Sequence, residues 1–327
     1  MQENSLFLNQ YHIESLLGSG GFGSVYKATH LTTQSSYAIK VDKKRKGNVK
    51  QESTILFELQ GGEGIVKVYE AGETEEFTYM IMELLGPSLS KIQKQQGGKF
   101  SLDTVIPIII QSLYRLQYIH SFGIVHRDLK PQQFLVGPNN NLYLVDYGLA
   151  RKFIVQGTHI PYQSNCSRAG NSTYASLNNH IGIHQTRRDD IESLAYMAVS
   201  LMNGRLPWQQ SSRINSSVKW NNVYKIKSTI NLYELCQNCP SEFVMFIQYA
   251  RALDFHEEPD YEYLRRLIKG IQPLEGVPEP MKKSESATKV TNSSETAPES
   301  AKSPEEPLKS KKPVVIPKCK SYMIRRK

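Results

Sequence analysis

The chain has 327 residues, of which 39% are hydrophobic, and its formal net charge is +9. This length allows a folded domain with a substantial core plus an additional segment. A membrane protein is not expected, because no apolar run reaches the roughly 20 residues of a spanning helix. Nor is a disulfide-stabilised secreted protein, because the four cysteines are sparse and the first residues lack the features of a secretory signal.

The residues from about 10 to 84 are expected to form mainly short strands. Residues 37–41 and 77–84 are apolar and rich in β-branched and aromatic side chains, which is typical of buried strands. One helix is predicted between them at residues 49–59, because its apolar residues fall on one helical face. At residues 84–87 the sequence Leu-Leu-Gly-Pro breaks the pattern and predicts a linker between two lobes.

Helices dominate the sequence beyond this linker. A small β-rich lobe (about 10–84) joined to a larger helical lobe (about 86–274) is an α+β arrangement. We therefore predict one bilobal domain over residues 10–274. The predicted helices of the second lobe, which rest on apolar residues at helical spacing, cover residues 101–121, 188–203, 241–253 and 261–270.

The composition changes abruptly near residue 275. Residues 275–312 are dominated by Ser, Thr, Glu, Lys and Pro, which cannot bury enough apolar surface to offset the entropy of ordering. We predict a disordered tail over residues 275–327, whose last residues are strongly basic. Such an end is a solubilising segment, a nuclear-import signal or a tether for acidic surfaces, and the sequence leaves these alternatives open.

A glycine-rich segment near the N-terminus predicts a nucleotide-binding loop. Residues 18–25 read G-S-G-G-F-G-S-V and match the pattern G-x-G-x-x-G-x-V. Dinucleotide-binding folds use the same glycine spacing, but there a helix follows directly. Here residues 25–28 continue as a strand, which favours a β-turn-β cover over ATP. The residues predicted to contact ATP in this loop are Gly18, Ser19, Gly20, Gly21, Gly23 and Val25.

Two further motifs supply charged groups that phosphoryl transfer needs. Residues 126–131 read H-R-D-L-K-P and residues 146–148 read D-Y-G, which match the protein-kinase signatures H-R-D and D-F-G apart from the tyrosine. Asp128 is predicted to orient the substrate hydroxyl as the base, and Lys130 is predicted to reach the transferring phosphate. Asp146 is predicted to bind Mg²⁺.

The remaining catalytic predictions concern Lys40, Glu52 and Gln133. Lys40 ends a predicted buried strand, where it is expected to pair with the α- and β-phosphates, and Glu52 on the next helix is expected to orient it. Gln133 occupies the position where the signature has the asparagine ligand of a second metal ion. Its side chain is longer by one CH₂, a displacement of roughly 1.5 Å. Weakened metal binding is therefore expected rather than abolished catalysis.

Several longer segments resemble the casein kinase I group of protein serine/threonine kinases. The resemblance covers about residues 10–270. Besides the general signatures, it rests on residues 83–89 (ELLGPSL), 159–162 (HIPY), 174–178 (YASLN), 187–194 (RRDDIESL), 206–208 (LPW), 240–243 (PSEF) and 259–261 (PDY).

The resemblance implies a bilobal kinase fold that binds ATP with Mg²⁺ or Mn²⁺ and phosphorylates Ser or Thr in acidic or already phosphorylated protein segments. It further implies a monomeric kinase domain in the cytoplasm, the nucleus or both, and the sequence contains no nucleic-acid-binding motif. Asp190 is expected to brace the catalytic loop. The implied contacts of the adenine pocket are Ala38, Met82, Glu83, Leu85 and Leu135.

Two positions depart from the family pattern. Asn171 stands where the family has a threonine that bridges the catalytic aspartate and lysine, so an amide has to make that bridge. Thr173 replaces an arginine of the family's phosphate-recognition site, which removes a bidentate anion ligand, and Arg168 and Lys219 are candidates to compensate. Preference for phosphorylated substrates is thus left open. A general acidic preference is expected from four other basic residues, namely Arg127, Lys152, Arg187 and Arg188.

The main prediction is an active serine/threonine kinase, because the glycine loop and every charged catalytic residue are intact. A pseudokinase of the same fold, acting as a scaffold or allosteric partner, is the alternative that Gln133 and Asn171 favour. A nucleotide-binding sensor without transfer activity is a third. Cys236 and Cys239 form a C-x-x-C, for which two ordinary thiols are a better interpretation than a zinc site, because no second pair or nearby histidine accompanies them.

Overall fold

The structure is a computed structural model that describes residues 3–43, 48–209 and 216–271. These residues belong to one unit, Met1–Glu275. The predicted tail at residues 275–327 lies outside the described residues, so its disorder and the role of its basic end stay predictions. Within the described ranges the chain has a sheet-rich first part and a helical second part, which confirms the predicted α+β class.

The N-terminal part is built on a six-stranded antiparallel sheet with the strands β1 (Leu6–Phe7), β2 (Tyr11–Gly20), β3 (Gly23–His30), β4 (Ser36–Lys43), β5 (Val68–Glu73) and β6 (Phe77–Glu83). Their order in the sheet is β1-β2-β3-β4-β6-β5. Successive side chains of β4 point to opposite faces, so Ile39 and Val41 join an outer cluster whereas Ala38 joins the main core. Lys40 therefore points to the same face as Ala38.

Helix α1 (Asn48–Leu59) packs against that inner face of the sheet. Its apolar residues Val49, Leu56 and Leu59 are completely buried in the main core. Glu52 lies on the same side of the helix and is buried with them. The packing of α1 thus places one carboxylate inside the protein, opposite the strand that carries Lys40.

The second part contains α2 (Leu89–Gln95), α3 (Leu102–Ser121), α4 (Leu177–His180), α5 (Arg187–Asn203), α6 (Ser216–Thr229), α7 (Leu232–Leu235), α8 (Ser241–Ala252) and α9 (Tyr261–Lys269). Helix α5 is buried along most of its length and contacts α3 and α8. The predicted helices correspond to α3, α5, α8 and α9, to within one residue at each end. Of the helices in the described ranges, none combines the length and hydrophobicity required to cross a bilayer.

Short antiparallel pairs fix the loops between α3 and α4. The strands are β7 (Ile124–Val125), β8 (Phe134–Val136), β9 (Leu142–Leu144), β10 (Arg151–Lys152), β11 (Ile154–Val155) and β12 (Thr158–His159). β7 pairs with β10, β8 with β9, and β11 with β12. The H-R-D-L-K-P and D-Y-G motifs lie between these strands, so the pairs hold both motifs on the same side of the core.

Candidate active site

Lys40 is a buried cation enclosed by two carboxylates. Its Nζ donates to Glu52 Oε2 at 2.6 Å and to Asp146 Oδ1 at 2.8 Å. Lys40 is only 6% exposed and Glu52 1%, and a buried charge of this kind is tolerated only when it is paired. The contact joins β4, helix α1 and the D-Y-G motif at one point.

The protonation states of Lys40 and Asp146 follow from their ion pair. Burial alone would lower the pKa of the Lys40 ammonium, but Glu52 and Asp146 outweigh burial and raise that pKa. Burial would raise the pKa of Asp146, but Lys40 outweighs it and lowers that pKa below its ordinary value. At neutral pH, Lys40 is thus a cation that can hold a phosphate, and Asp146 is an anion that can hold a metal ion.

The loop that carries Asp128 is fixed by Asp190, near the start of α5. Asp190 accepts hydrogen bonds from the backbone N–H groups of His126 at 2.7 Å and Arg127 at 2.9 Å, and its Oδ2 lies 3.0 Å from His120 Nε2. Arg127 has a φ of +71°, a left-handed conformation that residues other than glycine seldom adopt. The contacts of Asp190 hold the loop in this conformation, which is the bracing that the family resemblance implied.

The two carboxylate oxygens of Asp128 have different surroundings. Oδ2 accepts a hydrogen bond from Lys130 Nζ at 2.5 Å. Oδ1 is buried and has no hydrogen-bond partner among the described residues. Buried polar atoms are nearly always hydrogen-bonded, and a substrate hydroxyl is a donor that fits this oxygen. The arrangement therefore suits a group that accepts the hydroxyl hydrogen bond.

Gln133 links the carboxylates of Asp128 and Asp146 through its amide nitrogen. Nε2 donates to Asp146 Oδ2 at 2.8 Å and lies 3.4 Å from Asp128 Oδ2. The additional CH₂ of glutamine therefore does not move the amide out of reach of Asp146. It presents the amide nitrogen to the carboxylate, whereas metal binding would require the amide oxygen.

The donor atoms at Asp146 fit a magnesium ion bound together with a nucleotide. Mg²⁺ is usually held by one or two carboxylates while substrate phosphates and water complete its shell. The side chain of Asp146 is 26% exposed, so its carboxylate borders the cleft. Within residues 3–43, 48–209 and 216–271 there is no cluster of three or more His, Cys, Asp or Glu that would bind a metal alone. Asp146 and Gln133 stay the predicted ligands, with phosphate oxygens as the missing partners.

The glycine-rich residues form the hairpin between β2 and β3, with Gly20 opposite Gly23. Gly23 has a φ of +122°, and a Cβ there would collide with the carbonyl group of Val41. At Gly18, Gly20 and Gly21 a Cβ would meet no atom within 4 Å. These three glycines therefore border open space rather than packed chain, which leaves room for a ligand under the hairpin.

The other predicted nucleotide contacts lie on β4, β6 and β8 and in the linker at residues 84–87. Ala38 and Met82 lie opposite each other on β4 and β6, and both are buried. Leu135 lies half-buried on β8. Glu83 ends β6 and Leu85 belongs to the linker at 84–87, which has no regular secondary structure. Their contacts with adenine stay predictions.

Three of the four basic residues expected to attract acidic substrates are engaged within the protein. Lys152 pairs with Glu58 of α1 at 2.7 Å. Arg187 and Arg188 donate to backbone carbonyl groups between α8 and α9, at 2.7 and 3.1 Å. Arg168, a candidate to replace the missing arginine, donates to the carbonyl group of His180 at 2.9 Å. These contacts use only part of the available donors, since Arg187 Nε and Arg188 Nε have no partner among the described residues, and the attraction of acidic substrates stays a prediction for all of them.

Arg127 is the fourth of the basic residues expected to attract acidic substrates. The structure shows a further arginine near it, Arg151, which was not among the predicted residues. Both line a small pocket beside the catalytic loop, together with Cys166 and His184. Arg151 Nη1 lies 3.0 Å from His184 Nε2, and Arg127 Nε is buried without a partner among the described residues. Burial, followed by the repulsion of Arg151, lowers the pKa of Arg127. Two guanidinium groups that repel each other favour an anion between them.

Asn171 does not make the predicted bridge. Its Oδ1 accepts a hydrogen bond from the backbone N–H of Thr173 at 2.8 Å, a turn that asparagine side chains readily form. Asp128 and Lys130 contact each other directly instead. The Asn171 side chain is therefore turned onto its own backbone, and Asp128 Oδ1 has no hydrogen-bond partner among the described residues.

Tyr147 carries the one hydroxyl by which D-Y-G differs from D-F-G. Its side chain is completely buried, and its OH has no hydrogen-bond partner in the described part of the chain. Replacing Tyr147 with phenylalanine is expected to raise the free energy of unfolding by about 1–2 kcal/mol, because the uncompensated desolvation of the hydroxyl is removed. This difference in the free energy of unfolding is measured by urea unfolding, with circular dichroism as the signal.

The matched control for this prediction is Tyr174→Phe. Tyr174 is also buried, but its OH lies 3.2 Å from Ser200 Oγ, so the same substitution is expected to lower stability. A Tyr147→Phe variant that is less stable than the unmodified protein would show that its hydroxyl is satisfied.

A protein-family model described as the protein kinase domain matches residues 11–262, which is well over half of the chain. The match begins at β2 and extends to the start of α9. It includes the contacts described above, from Lys40 and Glu52 through Asp128 to Asp146.

Proposed function

The chain belongs to the protein kinase family, and from this premise we propose that it is an ATP-dependent protein serine/threonine kinase of the casein kinase I type. Its reaction is the transfer of the γ-phosphoryl group of ATP to a Ser or Thr hydroxyl of a protein. The observation that carries the proposal is the position of Lys40 Nζ, 2.6 Å from Glu52 and 2.8 Å from Asp146. Holding a buried lysine and two carboxyl groups together away from water is costly, and a role in binding phosphate and metal accounts for it.

Each catalytic group has a role that its surroundings support. ATP bound with Mg²⁺ supplies the transferable phosphoryl group with its charge partly neutralised. Lys40 would hold the phosphates, and Asp146 with Gln133 would hold the metal ion. Asp128 Oδ1 accepts the hydrogen bond of the substrate hydroxyl, while Lys130, 2.5 Å from Asp128 Oδ2, contacts the transferring phosphoryl group. A lysine at this position is typical of serine/threonine kinases.

Acidic protein segments are the proposed substrates. Arg127 and Arg151 offer two cations beside the catalytic loop, and their combined charge favours a carboxylate or phosphate of the substrate nearby. Thr173 is buried and provides no charge, so we propose a general preference for acidic residues rather than a strict requirement for prior phosphorylation. A monomeric kinase domain in the cytoplasm, the nucleus or both completes the proposal.

The proposal is tested with purified protein, ATP and Mg²⁺ or Mn²⁺. Three peptides are compared: an acidic peptide with one serine, the same peptide with tyrosine in place of serine, and a peptide with lysine in place of the acidic residues. Mass spectrometry is expected to find phosphate on the acidic serine peptide at the highest rate. Phosphate on the tyrosine peptide alone would overturn the serine/threonine assignment.

A pseudokinase is the second candidate, and the contact of Gln133 Nε2 with both catalytic carboxylates favours it. In that case the amide takes the place of a cation between Asp128 and Asp146. ATP binding with no phosphate on any peptide, under either metal ion, would support this alternative.

Substituting Gln133 with asparagine is expected to raise the Mg²⁺-supported rate, by up to about a hundredfold, because misplacement of a group by 1 Å has effects of this size. The shorter side chain restores an amide oxygen at the metal position. Initial rates of peptide phosphorylation measure the effect. The control is Gln132→Asn, at the neighbouring exposed residue whose amide contacts Ser90. An unchanged or lower rate in Gln133→Asn would contradict the assignment of Gln133 as a metal ligand.

A further inference from the structure

Lys227 on α6 is a completely buried lysine that the catalytic contacts do not use. In the described part of the chain no carboxylate lies within ion-pair distance of it. Its Nζ instead lies over two aromatic rings, at 4.6 Å from the centroid of Tyr196 and 5.0 Å from that of Trp208. A buried ammonium without an ionic partner is costly, so its hydrogen bonds identify what it stabilises.

Both hydrogen bonds of Lys227 go to one short segment. Nζ donates to the carbonyl oxygen of Ser172 at 3.1 Å and to that of Ala175 at 2.6 Å. Glu192, the acidic group whose charge acts on Lys227, accepts hydrogen bonds from Tyr196 OH at 2.6 Å and from Arg251 at 3.4 Å. Lys227 is therefore directed to the backbone of residues 172–175 rather than to a counter-ion.

Trp208 fixes the carbonyl group of Thr173, which lies in the sequence between Ser172 and Ala175. Its Nε1 donates to the carbonyl oxygen of Thr173 at 2.7 Å. The carbonyl groups of Ser172, Thr173 and Ala175 thus point inward to donors from α6 and from the loop that precedes it. Residues 172–175 are buried, so the accessible part of the segment is its beginning, where Gly170 is half-buried and Asn171 is exposed.

The same segment begins at the catalytic carboxylate. Gly170 has a φ of +81°, and a Cβ on it would lie 3.1 Å from Asp128 Oδ1. A serine hydroxyl that reaches Asp128 Oδ1 would therefore lie next to Gly170, and the residues flanking that serine would pass Gly170 and Asn171, whose positions depend on the buried residues 172–175. We call residues 170–175 the docking segment.

We propose that Lys227 is a positioning residue that fixes the docking segment for the substrate peptide, with Trp208 as its partner in this role. The inference rests on the proposed function, since it takes the peptide serine to be delivered to Asp128. Lys227 contacts neither the nucleotide site nor Asp128, so its effect is confined to the peptide.

The test compares steady-state constants for the acidic serine peptide and for ATP in Lys227→Met and Trp208→Phe. Methionine keeps much of the apolar stem of lysine and removes its donors, and phenylalanine keeps an aromatic ring and removes Nε1. We expect the KM for the peptide to rise about tenfold in each variant, as for the loss of a hydrogen bond to a charged or buried donor, with the KM for ATP unchanged. The control is Lys225→Met, an exposed lysine of the same helix.

A lower kcat with an unchanged peptide KM, or equal changes in both KM values, would overturn the proposal. If Lys227→Met does not fold, the Trp208→Phe variant alone tests the proposal.

A second experiment separates this inference from the proposed function. It measures, by fluorescence anisotropy, the binding of a peptide with alanine in place of the serine. If the unmodified protein transfers no phosphate but binds this peptide about tenfold more tightly than the two variants do, the proposed function fails and the role of Lys227 stands. Equal binding by all three proteins would overturn the role of Lys227.

Discussion

Replacing Lys40 with methionine is expected to lower kcat for peptide phosphorylation by at least about a hundredfold, the usual effect of removing one preorganised electrostatic contact from an active site. Lys40 is the cation that links Glu52 to Asp146. Without it, the two carboxylates repel each other and no buried ammonium remains for the phosphates. Initial rates at saturating ATP and peptide measure the loss.

The matched control is Lys43→Met, three residues further along β4. Lys43 is exposed, so this substitution is expected to leave the rate within about twofold, as is usual for surface positions. Circular dichroism of both variants distinguishes a loss of catalysis from a loss of folding. A well-folded Lys40→Met variant with an unimpaired kcat would exclude Lys40 from the phosphate site.

Replacing Asp128 with asparagine is expected to lower kcat by about 10²–10⁴-fold, the range that a positioned acid or base contributes. Asparagine is nearly isosteric but presents at most one weaker acceptor to the substrate hydroxyl. The affinity for ATP is expected to change much less than kcat, because Asp128 does not contact Lys40 and reaches the nucleotide site only through Lys130 and Gln133. Fluorescent-nucleotide titration and initial rates measure the two quantities separately.

The control for this variant is Asp254→Asn, at an exposed aspartate before α9. It is expected to have the rate of the unmodified protein. Equal rates for Asp128→Asn and the unmodified protein would mean that another group accepts the hydroxyl hydrogen bond, and the orientation of Asp128 Oδ1 would then have no catalytic meaning.

The features that the sequence predicts correctly are those that depend on local patterns. Helices α3, α5, α8 and α9 are found because each buries an apolar face at helical spacing. The number of residues between Lys40, Glu52 and Asp146 does not by itself predict that their side chains lie close together. Only the kinase signatures predict that these three residues meet, and the structure brings them together.

The features that the sequence does not predict depend on contacts between distant segments. Helix α6 has no strongly apolar face, because one of its buried residues is the lysine Lys227 rather than an apolar side chain. Lys152 forms an ion pair with Glu58, which lies 94 positions away in the sequence. The sequence alone therefore predicts that Lys152 is an unpaired cation on the surface. Arg151 approaches Arg127 only because β10 pairs with β7 beside the catalytic loop.

Gln133 shows the limit of reasoning from side-chain length. The sequence predicts an amide displaced from its metal position. In the structure the amide bridges Asp128 and Asp146, because a carboxylate attracts the N–H end of an amide. A metal ion would attract the oxygen end instead, so the orientation of the amide depends on competition between the two carboxylates and the metal.

The most direct test of the account is a crystal structure with Mn²⁺ and a non-hydrolysable ATP analogue, with the metal located by its anomalous scattering. We expect an anomalous peak about 2 Å from the Asp146 carboxylate, with Lys40 Nζ within hydrogen-bond distance of the α- or β-phosphate. A nucleotide bound with its metal ion far from Asp146, or with Lys40 turned away from the phosphates, would contradict the catalytic arrangement proposed for this kinase.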